Sequence, residues 1–485
     1  MLLFFTDRRK VRKVGQVAGL DQGELTALLE RRRVPNGMPM LLDEAMRPVE
    51  PLCSWFRRLA MERLAPKTMK AYAHTALMLL NFLHKRDHDL RSATEQDIRD
   101  FEAWRREDGR TTVEDLTWDR DSAAIGRLYA YLVEIGYVAA RPWRRVRGRT
   151  SLGSGMSHEV RVRHMELEQY LFCRDVGFGG LLPTAELDES FRGWSPHRNR
   201  AASELALLTG MRIEEWSTLL LPELGLDDGR RPATWDVALA ECAKGRRPRS
   251  VYIPAGAMAM LGPYLLIERP EIVAAAQRRL RRRHRELFVV DRLEAEGTRV
   301  RGILDGVMIT RSVKMLKPEL RRIAVMETGD GLDPLALLVG RGGLMLTLSG
   351  WDRVRWRAWE RMKQWTGQER APVMPRRCWV FHDFRHTFAL RLLIFLTREA
   401  LRDAAAQRLP MATLLDHMTG NPLLAVQRRL GHASPATTYR YVRYLKDPMR
   451  EVDGAFREWT AAGGASYVTI ARHALELEEV RAAQG

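Results

Sequence analysis

The stretch HDFRHTFALRLL, residues 382–393, sets three costly polar side chains on the first turns of an otherwise apolar segment. Read as a helix, it puts His382, Arg385 and His386 on one face, because residues three and four apart are neighbours. Phe384, Phe388 and Phe395 fall on roughly the opposite face at core spacing. The polar face must therefore meet something that takes hydrogen-bond donors and positive charge.

The rest of the chain narrows what that is. At 485 residues the chain exceeds one typical core, so two or three domains are expected. A hydrophobic content of 45% is ordinary for a globular protein. The net charge of +18 points to a polyanionic partner, of which nucleic acid is the usual one. Cys53, Cys173, Cys242 and Cys378 lack metal-ligand spacing and read as buried free thiols in a reducing cytoplasm. The opening MLLFF is too short for a signal peptide and runs into TDRRKVRK, so secretion is not expected. No apolar run approaches the roughly 20 residues of a membrane span. A cytoplasmic, nucleoid-associated location and no membrane contact are the expectation.

Residues 1–48 have little periodicity and read as an arm or accessory segment. From 49 to 141 the pattern is helical. Pro66 opens one helix, whose stripe is Met69, Tyr72, Ala76, Leu79 and Leu83. Thr94 with Asp97 three residues on is a capping pair, and Gly136 stops a third helix. A basic, Gly/Ser-containing linker follows at 142–157, with Arg144, Arg145 and Arg147 close together. Such a strap either stays solvated or lies on phosphates, where each cation releases counterions. Residues 158–450 are mixed, with helix, Gly210 turn and helix, then two strands around the basic turn AKGRRPR. The stretch 257–334, with six arginines in QRRLRRRHRE, reads as an insertion whose helix is either solvated or facing DNA or a partner. A tail with an amphipathic segment closes the chain at 451–485.

Three stretches stand together: TGMRIEEW with Arg212 and Glu215, HDFRH with His382 and Arg385, and LGHASPATTY with His432 and, nine residues later, Tyr441. Their order and spacing resemble the tyrosine recombinase (phage integrase) family. Lys244, in the turn between the two strands, matches the family's hairpin lysine. The helical region 49–141 looks like its DNA-clamping core-binding domain. The resemblance implies a mostly α fold with a small antiparallel β-sheet: a helical core-binding domain and an α+β catalytic domain.

The residue types suit the chemistry independently. Breaking a phosphodiester while keeping its energy needs a protein nucleophile that holds the phosphate as an ester, and a Tyr hydroxyl can do so. Charge building on the non-bridging oxygens suits two guanidiniums, Arg212 and Arg385. A departing 5′ oxygen needs a proton, which a lysine on a turn can deliver. No carboxylate cluster suggests a metal, and no cofactor is expected. The resemblance implies Tyr441 as nucleophile, Lys244 as general acid, His382 as general base and His432 as phosphate donor. Glu215 would hold the architecture, and His386 reads as structural support. Lys67, Lys70, Arg144, Arg145, Arg147, Arg246 and Arg247 are candidate DNA contacts.

The implied partner is a double-stranded recombination site, bound by a homotetramer that exchanges a C-terminal segment, for which residues 466–483 are the candidate. Accessory DNA-binding proteins are possible further partners. The insertion, and a long segment between HDFRH and LGH, favour a mobile-element enzyme over a compact housekeeping resolvase. Two other readings stay open: a type IB-like topoisomerase, which shares the phosphotyrosyl step, and a catalytically silent DNA-binding protein of the same fold.

Overall fold

The computed structural model describes residues 1–7, 35–62, 64–108, 112–143, 163–226, 235–294, 297–368, 371–407, 422–432, 434–439 and 441, with short pieces at 19, 21, 24, 28, 31, 145–146, 149–150 and 152. The chain divides into two compact units, Met1–Glu159 and Val160–Gly485.

In the first unit, strand β1 (Leu2–Phe5) pairs antiparallel with β2 (Pro39–Leu42). Four helices follow: α1 (Leu52–Met61), α2 (Pro66–His84), α3 (Glu95–Ala103) and α4 (Asp115–Glu134). Pro66 sits at the first position of α2, where no backbone N–H is needed. At α3 the Thr94 hydroxyl accepts from the Asp97 amide, and Asp97 accepts in return from the Thr94 amide. The α2 stripe is buried as its spacing predicts and meets Trp55, Phe56, Phe101, Trp118 and Leu128 in one core. Leu41 of β2 is fully buried in that same core, so the opening segment contributes to it. A buried ion pair, Arg105 with Asp121 at 2.8 Å, joins the turn after α3 to α4, and Thr75 of α2 donates to the same carboxylate. A short hairpin, β3 (Arg145–Val146) and β4 (Arg149–Thr150), follows.

The second unit begins with α5 (Leu167–Phe172), α6 (Pro196–Thr209) and α7 (Ile213–Trp216). Strands β5 (Trp235–Leu239) and β6 (Arg249–Ile253) form an antiparallel hairpin. The stretch 257–334 holds most of α8 (Ala255–Pro263), then α9 (Arg269–Arg282), β7 (Phe288–Glu294), β8 (Arg299–Leu304), β9 (Val307–Ser312), α10 (Pro318–Arg321), β10 (Ala324–Thr328) and β11 (Gly331–Pro334). Helices α11 (Leu348–Lys363), α12 (Phe381–Gln407), α13 (Pro422–Leu430) and α14 (Pro435–Tyr439) follow among the described residues. The fold is mostly helical with small sheets. The largest has five strands in the order β11-β10-β7-β8-β9, and its β10–β7 pair is parallel, a feature that residue order does not announce.

The five-stranded sheet is knitted to the segment after α7. Leu221 N–H donates to Leu335 and Leu337 N–H to Leu219, while buried Arg321 grips Glu223 with two hydrogen bonds at 2.6 and 2.7 Å. Trp216, Trp351 and Phe381 pack edge to face at 4.8–6.1 Å, fixing α7, α11 and the start of α12 against one another. On α12, Phe384 is buried and Phe388 packs beside Ala389 and Leu393, but Phe395 is 58% exposed. Its expected core position fails because the helix turns Leu392, Leu393 and Leu396 onto the small cluster with Val426 and Leu430 and leaves Phe395 off that face. The QRRLRRRHRE arginines are exposed at the end of α9, with Leu280 buried among them. Cys53, Cys173 and Cys242 are buried thiols, whereas Cys378 is only half-buried beside Arg355. Among the described residues no helix is long and apolar enough to cross a membrane.

Candidate active site

The polar cluster is built around the tight turn that ends α6. Gly210 has φ +61°, and a Cβ there would lie 2.4 Å from the Phe388 ring. The turn releases Arg212 just before α7, where its amide donates to Glu215 at 2.7 Å and its guanidinium at 3.2 Å. Glu215 is fully buried, and Arg249 of β6 bonds both its oxygens, at 2.9 and 2.7 Å. Burial would raise the Glu215 pKa, but the hydrogen bonds and charge of Arg249, with Arg212, hold it below its ordinary value.

Lys244 lies exposed in the turn between β5 and β6, where Gly245 takes φ +70°. It is near enough to α12 for its charge to act on His382.

Arg385 is 1% exposed. Its two terminal nitrogens donate to the carbonyls of Gly210 and Leu430, so it ties the first turn to the last box. Two of its five N–H groups are so used. One turn along α12, the rings of His382 and His386 meet edge to face at 4.4 Å. His386 Nδ1 lies 3.0 Å from the Tyr441 hydroxyl. The resemblance assigns His382 to the tyrosine and leaves His386 a supporting role; in the structure the phenol is held by His386.

Leu430 ends α13, and Gly431, at φ +61°, turns the chain so that His432 points back toward the cluster. His432 Nδ1 pairs with the buried Thr438 hydroxyl at 2.9 Å, and its ring lies parallel to Tyr441 at 6.2 Å. Tyr441 is 3% exposed, packed with Ala389, Leu393, Val426 and Leu430.

Electrostatically the site is short of anions. Arg212 and Arg249 bond the buried carboxylate of Glu215, whose charge also reaches Arg385; Lys244 acts on His382, and the neighbouring Asp383 is paired with Arg163. Burial, then the neighbouring cations and histidines, pushes His386 and His432 down to about 3. Desolvation, then the charges of Arg385, Arg212 and Lys244, lowers His382 to about 4. Burial also lowers Arg385, to about 9, which leaves it charged at neutral pH. Three neutral histidines among fixed cations form a pocket that an anion would stabilise.

Of the candidate DNA contacts, Lys67 and Lys70 are exposed on α2, with Lys70 5.5 Å over the Phe5 ring. Arg246 and Arg247 are exposed beside Lys244, and Arg246 also pairs with Glu241. Arg144 and Arg147 lie outside the described residues, as do the side chain of Arg145 and the segment 466–483. Arg249 is the site residue that sequence reasoning misses, as one more cation crowding Lys244. Its signal is present: Arg249, Val251 and Ile253 alternate onto one face of β6, and that face is the buried one.

Residues 52–136 match the family model of the phage integrase N-terminal SAM-like domain. No curated protein matches the chain. Among solved structures it is similar to the XerH site-specific recombinase bound to palindromic difH substrate in a post-cleavage complex, at 14% identity and TM-score 0.44, over 84% of this chain and 82% of that one. It is similar to the Tn1549 transposon integrase in complex with circular intermediate DNA, at 14% identity and TM-score 0.41, over 79% and 92%. Likeness to the XerA recombinase is 16% identity and TM-score 0.29, over 82% and 96%.

Proposed function

We propose that this chain, which carries a phage-integrase N-terminal SAM-like domain ahead of its basic cluster, is a site-specific DNA recombinase of the tyrosine type. One observation carries the reading. Segments as far apart as Arg212 and Tyr441 meet in a cation-rich pocket, where the phenol is hydrogen-bonded to a neutral histidine.

In this reading the Tyr441 oxygen attacks a DNA phosphorus. A P–O(Tyr) bond forms as the P–O5′ bond breaks. The phenol proton passes to His386 Nδ1, which accepts when the ring carries its own proton on Nε2. The phosphate supplies the negative charge in which the pocket is poor, raising His386 from about 3 toward a useful basicity. Arg212 and the unused N–H groups of Arg385 take the growing charge on the non-bridging oxygens. Lys244, on its exposed turn, gives the departing 5′ oxygen a proton. Attack by another strand's 5′ hydroxyl on the 3′-phosphotyrosyl link reverses the steps and frees Tyr441.

A mobile-element role suits the long chain and its added sheet, with a tetramer on two DNA sites as the working form. The test uses nicked suicide duplexes cut from the DNA flanking the protein's own gene. A covalent adduct that survives denaturation and disappears in Tyr441→Phe is the expected result. No adduct from folded wild-type protein would overturn the reading. Relaxation of any supercoiled plasmid without strand exchange would move it to a topoisomerase. Identical behaviour of wild type and Tyr441→Phe in cells would mark a silent DNA-binding protein.

A further inference from the structure

We infer that Arg249 is a positioning residue of this site: it is the resident counter-ion of Glu215, and by neutralising that carboxylate it leaves Arg212 available to a phosphate. The inference rests on the recombinase reading for its chemistry, but its geometry stands alone. Glu215 is fully buried and accepts from two guanidiniums. The two are unequal. Arg249 makes a paired, fork-on-carboxylate contact at 2.9 and 2.7 Å. Arg212 reaches the same carboxylate with one side-chain bond at 3.2 Å. Paired charge-assisted contacts are the stronger and the more directional. When an anion arrives, the Arg212 bond is the one to yield.

Packing fixes Arg249 in this role. Its side chain is 10% exposed, and a Cβ on Gly431 would lie 2.9 Å from its Cδ. Its Nε is buried with no hydrogen-bond partner, so burial here is not offset at every donor. The stem crosses beneath the Leu-Gly-His turn while its head holds Glu215. One side chain thus joins the Arg212 turn, the Lys244 hairpin and the His432 turn. Without it, Arg212 would be the guanidinium still hydrogen-bonded to the buried carboxylate and would be drawn inward.

The test compares Arg249→Met, Arg249→Lys and the double variant Arg249→Met/Glu215→Gln, each checked for folding by thermal melting. Adduct formation on the nicked duplexes should fall about 100-fold in Arg249→Met with duplex affinity little changed. The double variant should recover about tenfold, because the carboxylate that captures Arg212 is gone. Arg249→Lys, which keeps the charge without the fork, should fall between. An unchanged rate in folded Arg249→Met, or a double variant no faster than the single, overturns the proposal. Should Arg249→Met not fold, the same comparison of Arg249→Lys with Arg249→Lys/Glu215→Gln decides it. Histidine titration followed by NMR gives a readout independent of cleavage. Loss of the Arg249 cation should raise the His432 pKa in Arg249→Met, and no rise there overturns the proposal even if wild type forms no adduct.

Discussion

His386 Nδ1 lies 3.0 Å from the Tyr441 hydroxyl, while His382, one turn earlier on the same helix, faces His386 edge to face. The nearer histidine is therefore the one whose loss should act on the nucleophile. His386→Ala should slow adduct formation about 100-fold or more, the usual scale for a positioned proton acceptor. Tyr441→Phe should abolish the adduct and lower stability by about 1 kcal/mol, the worth of one buried hydrogen bond. Single-turnover kinetics and chemical unfolding of the three proteins check both. Equal rates for His386→Ala and wild type would remove His386 from the chemistry.

Gly210 should tolerate no side chain. Its left-handed φ acts together with the Phe388 ring, which would stand 2.4 Å from an added Cβ. Gly210→Ala should cost about 2 kcal/mol or more from backbone strain and ring displacement. Because the Gly210 carbonyl receives Arg385, cleavage should suffer beyond the stability loss. A melting curve alongside an adduct assay well below the melting temperature separates the two effects.

The histidines make stability depend on pH. His386 and His432 titrate near 3 in the folded chain, against 6.5 for an unperturbed imidazole. Between those values the unfolded chain binds more protons than the folded one, so stability rises with pH and is lost as pH falls from about 6.5. Melting temperature should drop from pH 7 to pH 5, and less steeply in His386→Gln/His432→Asn. Identical slopes would mean that these imidazoles are not held neutral.

In the helical unit, Asp121 is fully buried between Arg105 and Thr75. Asp121→Ala leaves a buried guanidinium without its carboxylate, a loss of about 3–5 kcal/mol. Limited proteolysis of the full chain should then cut within residues 52–136 at protease levels that leave the wild type intact.

Much of this architecture can be read from residue order because it is local. The α2 stripe, the Thr94–Asp97 cap and the Gly210 turn each depend on residues a few places apart. The resemblance to the tyrosine recombinase family also singles out Arg212, Arg385, His432 and Tyr441, whose charges act on one another in the fold. What escapes such reading is non-local. The parallel pairing of β10 with β7 depends on a crossover that local patterns do not specify. The link between His386 and Tyr441 spans 55 residues, and nothing in HDFRH says which of its two histidines meets the phenol. Arg249 is hidden differently: a run of arginines looks uniformly solvated, although alternation along β6 sets one of them apart.

Tyr441 is buried within its own chain, 3% exposed and braced by apolar side chains of α12 and α13. A chain so arranged keeps its own phenol beside its own cations. Two crippled copies, one lacking the phenol and one lacking Arg212, should therefore not repair each other when mixed on a single nicked duplex. Restored adduct in that mixture would mean the tyrosine is lent to a neighbour.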